Sequence, residues 1–198
     1  MIVRYADDFI IGFKMKSDAN DFQYHLKRRL NKFGLQLHEH KTKLIRFGRY
    51  AKQQREVLNE GKPETFEFLG FTHICAETHV KRKFVVKRQT SKKRMRKTLQ
   101  AIKEGLRKRR HATVVQTGEW LNRVVRGYFN YHAVTGNMYI LGSFRREVSL
   151  NWLKSLRRRS QRSRMTWERF VKLVDLYIPL ARRVHASPHE RFNVRYSQ

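Results

Sequence analysis

Apolar positions along the chain recur with two different periods, and the change falls near residue 89. In IVRYADDFIIGF (2–13), Ile2 and Val3 precede a polar pair and Phe9, Ile10, Ile11 and Phe13 follow it, which predicts strand, turn, strand. A helix follows: Ser17 or Asp18 can cap it, Phe22, Leu26, Leu30 and Phe33 recur at spacings of four, four and three, and Gly34 supplies a left-handed stop. LQLHEHKTKLIRF (35–47) predicts two short strands around a polar turn, with Leu35 and Leu37 on one and Leu44, Ile45 and Phe47 on the other. Residues 48–65, with Gly48, Gly61 and Pro63, predict a surface loop. FEFLGFTHI (66–74) and KFVVK (83–87) predict a hairpin that turns within Ala76 to His79, so the order to this point is β-β-α-β-β-β-β.

Beyond Gln89 the period becomes helical. Ser91 can cap a helix buried through Met95, Leu99, Ile102 and Leu106; a second carries Trp120, Val124, Tyr128 and Tyr131; a third carries Phe144, Val148, Trp152 and Leu156. A fourth, capped by Thr166, uses Trp167, Phe170, Val171, Val174 and Ile178 and ends at Pro179. The expected fold class is therefore α+β, with an α+β domain over residues 1–89 and an all-helical domain over 90–198. The last twenty residues read as irregular, and there is no internal repeat.

Charge changes this picture from a fold to a partner. The 198 residues hold 45 Lys and Arg against 16 Asp and Glu, a formal net charge of +29, yet 40% are hydrophobic and 12% aromatic. A foldable chain this basic calls for a polyanion, nucleic acid before an anionic membrane. No apolar run approaches the eighteen or so residues of a spanning helix, and Met1 does not open a signal peptide. A single cysteine, Cys75, excludes an internal disulfide and the cysteine pairs of a zinc ribbon, and it suits a reducing cytoplasm. In HEHK (38–41), His38 and His40 have ligand-like spacing, but exposed polar turn residues are the commoner explanation.

Against this background Asp7 and Asp8 are conspicuous. Consecutive strand residues point to opposite faces, so adjacent carboxylates serve one site only where the backbone turns. Two like charges so close suit a hard cation such as magnesium, although Asp is also common in ordinary turns. The flanks add to this. Tyr5-Ala6-Asp7-Asp8 between apolar strands resembles the YxDD hairpin of reverse transcriptases. GLQLHEHKTKLIRFG (34–48) is similar to that family's following motif, a Gly-Leu strand and then Lys-Thr, and FEFLGF (66–71) to its Phe-Leu-Gly primer-grip hairpin. WLNRVVRGYFNYH (120–132), NWLKSLRRRSQR and TWERFVKLVDLYIPLARRVH resemble the maturase domain, the polymerase thumb, of group II intron-encoded proteins.

The resemblance implies a partial reverse-transcriptase palm followed by a helical thumb, in a protein that binds group II intron RNA, assists splicing and copies an RNA template from a DNA primer. It implies Asp7 as a magnesium ligand with Asp8 beside it, Tyr5 and Ala6 near the incoming nucleotide or primer end, Lys41 near the triphosphate, and Phe68, Leu69 and Gly70 on the primer. Two magnesium ions would clamp the attacking and leaving oxygens. The family also uses a further palm aspartate and fingers, which would lie before Met1. The expectation is therefore a C-terminal portion that does not polymerise alone, unless a separate N-terminal half completes it in trans. The absence of a His/Cys endonuclease pattern after the thumb resembles shorter bacterial members of this mobile-element family.

RNA binding is also expected from charge alone. Between Lys81 and Arg110 bases outnumber acids fifteen to one, Glu104 being the single acid. Lys92, Lys93, Arg94, Arg96 and Lys97 open the first of the four helices, and Arg157, Arg158 and Arg159 begin a second block, RRRSQRSR (157–164). Asn122, Arg123, Arg126 and Asn130 fall near one face of the Trp120 helix, where Gly127 could admit a backbone. The same charge suits a non-enzymatic RNA-binding protein or a general DNA-binding one.

Overall fold

The computed structural model describes residues 1–78, 82–159 and 165–186. Strands β1 (Ile2–Tyr5) and β2 (Asp8–Ile11) pair antiparallel with Tyr5 opposite Asp8, and α1 (Lys16–Asn31) follows. Helix α1 starts earlier than expected: Met15 is the N-cap without a side-chain cap, which puts Ser17 and Asp18 inside the first turn, where Asp18 still suits the helix dipole. Its end is as expected. Gly34 has φ of +68°, and the Leu35 and Gly34 amides donate back to the carbonyls of Leu30 and Asn31, a Schellman closure.

Residues 35–47 do not pair as strands. The backbone turns where the Lys41 and Thr42 amides both donate to the His38 carbonyl, and no strand lies alongside to complete a ladder. The segment packs instead through side chains, Phe47 lying edge-on to Phe66 at 4.9 Å. The expected loop holds a short helix, α2 (Ala51–Val57), whose sequence AKQQREV is rich in good helix formers. Ala51 is buried, and Arg55 reaches Glu60 and Glu64 at 3.3 and 3.5 Å.

The alternation over 66–74 predicts one strand, but the chain folds back at Leu69–Gly70 into a hairpin, as the resemblance of FEFLGF (66–71) implies. Strands β3 (Phe66–Phe68), β4 (Phe71–Glu77) and β5 (Phe84–Thr90) form an antiparallel sheet in the order β3-β4-β5. Strand β4 extends through Ala76 and Glu77, so the connection to β5 comes later than expected, and residues 79–81 of it lie outside the described residues.

From Lys92 onward the architecture is helical: α3 (Lys92–Lys108), α4 (Val114–His132), α5 (Met138–Arg157) and α6 (Trp167–Tyr177). Ser91 and Thr166 cap α3 and α6 as expected, their hydroxyls accepting from the amides of Arg94 and Arg169. The core is closed. Phe144, Val148, Trp152 and Leu156 are buried on α5, Ile102 and Leu106 on α3, and Phe170, Val174 and Ile178 at α6, while Trp167 and Val171 are exposed. On α4 the buried stripe is rotated from the expected one: Leu121, Val125, Tyr128 and Phe129 face inward, Trp120 and Val124 flank them, and Tyr131 is half exposed. Two glycines allow close packing. A Cβ on Gly105 would come within 2.5 Å of the Trp120 ring, and one on Gly118 within 2.5 Å of the Tyr177 ring.

Candidate functional site

The two hairpin tips are the first components of the site. In β1–β2 the turn residues are Ala6 and Asp7, and Ala6 alone has positive φ, +52°, at the position that favours glycine in a II′ turn. A non-glycine residue there carries strain of roughly 1 kcal/mol, held by four paired positions along the strands. The tip presents Asp7 in the turn and Asp8 at the start of β2, both exposed, with Tyr5 exposed opposite Asp8. Among the described residues no hydrogen bond or ion pair engages either carboxylate, and Lys41, exposed in its own turn, forms no ion pair with them.

Two exposed carboxylates fit one magnesium ion whose shell is completed by water and phosphate. They do not make a two-ion centre, and no group of three His, Cys, Asp or Glu able to hold a metal occurs among the described residues. Such an ion would supply charge neutralisation for phosphate oxygens; the side chains described here provide no more than its anchoring. His38 and His40 lie with ring centres 6.1 Å apart.

The β3–β4 tip is built differently. Leu69 and Gly70 both have positive φ, +51° and +76°, as a two-residue I′ turn requires. The helices hold this tip from outside. The Tyr131 hydroxyl of α4 donates to the Leu69 carbonyl at 2.8 Å, the Ser91 amide donates to the Gly70 carbonyl at 3.0 Å, and the aliphatic part of Arg94 lies against Gly70. Phe71 stacks on Tyr131 with ring centres 5.6 Å apart and also meets His132 at 5.3 Å.

Beneath it lies Asn137, fully buried. Its carbonyl accepts from the Thr90 amide at 2.9 Å, and its amide donates to the Thr90 hydroxyl at 2.7 Å and the His132 carbonyl at 2.9 Å. Three bonds from one side chain thus join the end of β5 to the α4–α5 connection. Tyr128, stacked between His132 and Phe144, has its hydroxyl pushed up to about 12 by burial, and burial, reinforced by the nearby Arg94 charge, holds His132 below the usual imidazole range.

The structure therefore brings Leu69, Gly70 and Arg94 together, with Phe68 half-buried beside them, and among the described residues no hydrogen bond or ion pair links Asp7, Asp8 or Lys41 to this junction. Lys92, Lys93, Arg96 and Lys97 are exposed on the first two turns of α3, where no acid offsets them and no ion pair among the described residues engages them. Cations at a helix N-terminus oppose its dipole, costing about 0.3–1 kcal/mol each. Arg157 and Arg158 are exposed at the end of α5, whereas Arg159 is half-buried and donates to the Thr117 hydroxyl at 3.3 Å; residues 160–164 of that block lie outside the described residues.

On α4, Arg123, Arg126 and Asn130 are exposed, but the Asn122 amide donates to the Tyr177 carbonyl at 2.8 Å and the Asn130 carbonyl accepts from His185 at 2.6 Å. Part of the expected polar face is thus covered by the chain that follows α6. Asn137, Arg145 and the anchoring role of Tyr131 are not apparent in the sequence reading. Only Asn137, following Gly136 at the start of a helical pattern, carries a local signal, and it reads as a cap.

Residues 1–73 match the family model described as reverse transcriptase (RNA-dependent DNA polymerase), a segment that takes in both hairpin tips. Over this segment the chain is similar to reverse transcriptases. No curated protein matches the chain. No helix among the described residues is long and apolar enough to cross a membrane.

Proposed function

We propose that the chain is the C-terminal portion of a bacterial, cytoplasmic group II intron reverse transcriptase and maturase, in which a palm tip is joined to a helical thumb that binds intron RNA and assists its splicing. The observation that carries this is the run Lys92, Lys93, Arg94, Arg96 and Lys97, without an ion pair among the described residues, on a helix anchored to the Leu69–Gly70 turn; that turn, unlike the helix, falls inside the segment that matches reverse transcriptases. Five cations on the dipole-opposed end of a helix are unfavourable alone and favourable against phosphates.

In this role the α3 face and Arg123, Arg126, Asn130, Arg157, Arg158 and Arg159 contact RNA. Phe68, Leu69 and Gly70 hold the primer strand, and Tyr5 and Ala6 lie by its end. Asp7 and Asp8 anchor magnesium, with Lys41 approaching the triphosphate. The 198-residue chain does not extend a primer by itself, because two neighbouring carboxylates on one hairpin tip do not readily hold both ions.

The test is fluorescence anisotropy with a structured intron RNA against duplex DNA at fixed salt, together with primer extension on an RNA template. RNA is expected to compete better than DNA. Neutralising Lys92, Lys93, Arg96 and Lys97 to Gln should weaken RNA at least tenfold and flatten its salt dependence, and Asp7→Ala should leave RNA affinity unchanged. Equal affinity for duplex DNA would make the chain a general basic DNA-binding protein. Primer extension by the chain alone would contradict the incomplete centre.

A second assembly, completion in trans by a polypeptide carrying fingers and the remaining palm, is favoured by the uncovered apolar side chains of the first region: Ile2, Tyr5, Phe33 and Leu35 are each more than half exposed. Mixing the two polypeptides should then restore primer extension, and Asp7→Ala should abolish it.

A further inference from the structure

The chain leaving α6 is fixed at both ends of a short strap. At its start, the Tyr177 carbonyl accepts from Asn122 of α4, and the Ile178 carbonyl accepts from Nε and Nη2 of Arg145 of α5 at 3.2 and 3.1 Å. At its end, the Val184 and His185 amides donate to the Ala133 carbonyl, and the His185 ring meets the Asn130 carbonyl. Between these clamps the strap, α4, α5 and the end of α6 border an open groove of about 510 Å³. Ile178, Pro179 and Leu180 give it an apolar wall, and Arg126, Arg145 and Arg182 give it three cations. Its acid, Asp175, is paired with Arg145 at 3.3 Å. Arg126 and Arg182 are left exposed, with no ion pair among the described residues.

This combination narrows the occupant. The space is far larger than a phosphate ion needs. A helical duplex keeps its bases stacked and cannot insert one, whereas a loop or bulge of RNA presents unstacked bases that seat on apolar side chains or guanidinium planes. We propose that the cavity holds one unstacked nucleotide of a bound RNA, its base against Pro179 and Leu180 and its phosphate between Arg126 and Arg182. The Arg145–Asp175 pair also lines the cavity, where the exposed Asp175 carboxylate can accept from an exocyclic amine or a 2′-hydroxyl. This rests on the RNA-binding role proposed above and adds to it a preference for single-stranded elements. Because the strap is clamped at both ends, the cavity exists before RNA arrives.

The experiment compares the whole chain on two RNAs of equal length, a stem-loop and a perfectly paired duplex, by anisotropy at several salt concentrations. Arg182→Gln, a cavity residue outside the general RNA-contacting set, is expected to weaken the stem-loop several-fold and to lower its salt slope by about one, with less than a twofold change for the duplex. Leu180→Asp, at a side chain exposed enough to leave folding intact, should reproduce the selective loss, and adenosine monophosphate at millimolar concentration should compete with the stem-loop alone. Equal losses on both RNAs, or none on either, would reduce the cavity to an undifferentiated part of a basic surface. The α3 variant Arg96→Gln with Lys97→Gln separates the two claims. It should weaken both RNAs, and if it does while the cavity variants fail to discriminate, RNA binding stands and the nucleotide site falls. If the unaltered chain binds neither RNA, both are overturned.

Discussion

The two halves of this chain bury their apolar residues to very different extents. From Lys92 onward, Leu121, Val125, Leu141, Phe144, Val148 and Trp152 are wholly enclosed. In the first region α1 buries only Ala19, and its periodic residues Phe22 and Phe33 are 36% and 66% exposed. Both regions carry amphipathic patterns, so the pattern states which face seeks cover and not whether the chain supplies it. The helical half satisfies its own pattern. The hairpin and α1 hold their shape by local bonds, such as the Met1–Gly12 backbone pair that prolongs β1–β2, and by single contacts such as Phe13 on Phe22.

The sharpest way to break this comparison is to truncate one aromatic in each half. Trp152→Ala should cost about 3–5 kcal/mol in urea unfolding, whereas Phe33→Ala should stay within about 0.5 kcal/mol. Comparable losses would mean that α1 is covered in solution. Next in size is Asn137→Ala, which leaves the Thr90 amide without its partner inside the junction and takes from the His132 carbonyl one of its two donors, the Val134 amide remaining. It should cost about 2–3 kcal/mol and loosen the β3–β5 sheet from the helices, seen as faster amide exchange in β5. Removing the Tyr131 hydroxyl with Tyr131→Phe takes away only the bond to Leu69, for about 0.5–1.5 kcal/mol.

A further effect, of pH, involves His132 at this junction and His73 in the β3–β4 sheet beside Phe66. Burial holds His73 and His132 below the usual imidazole range, so as pH falls through about 6.5 the unfolded chain binds protons that the folded chain resists. Stability should therefore decline from pH 7.5 to 5.5 and level off once the folded histidines also titrate. His132→Phe, which keeps a ring against Phe71 and Tyr128, should flatten that slope. An unchanged slope would place the titration elsewhere.

Much of this architecture was legible in the sequence, for physical reasons that also explain the rest. The turn at Asp7, the Gly34 stop, the Ser91 and Thr166 caps and the α5 stripe all depend on near neighbours, which sequence records directly. Helix α2 was written in the propensities of AKQQREV but obscured by the flanking Gly48, Gly61 and Pro63. Residues 35–47 have a strand's alternation, yet a strand needs a partner, and that is a non-local fact. The rotation of the α4 stripe arose in the same way, since Tyr131 is drawn outward to meet Leu69 and Trp120 rests against a glycine. Of the candidate site, the acidic tip and the basic face were readable as motif and charge. The clamp at Asn137 and the strap across α4 link residues 47 and 55 positions apart in sequence, and no local pattern announces them.

Hydrogen–deuterium exchange of the whole chain, with and without a structured RNA, tests most directly whether the helical half is the part that meets nucleic acid. RNA should slow exchange in the first turns of α3 and along α4 from Arg123 to Asn130, while amides of β1, β2 and α1 exchange quickly in both conditions. Protection confined to the Asp7–Asp8 hairpin, with α3 and α4 unchanged, would contradict this assignment.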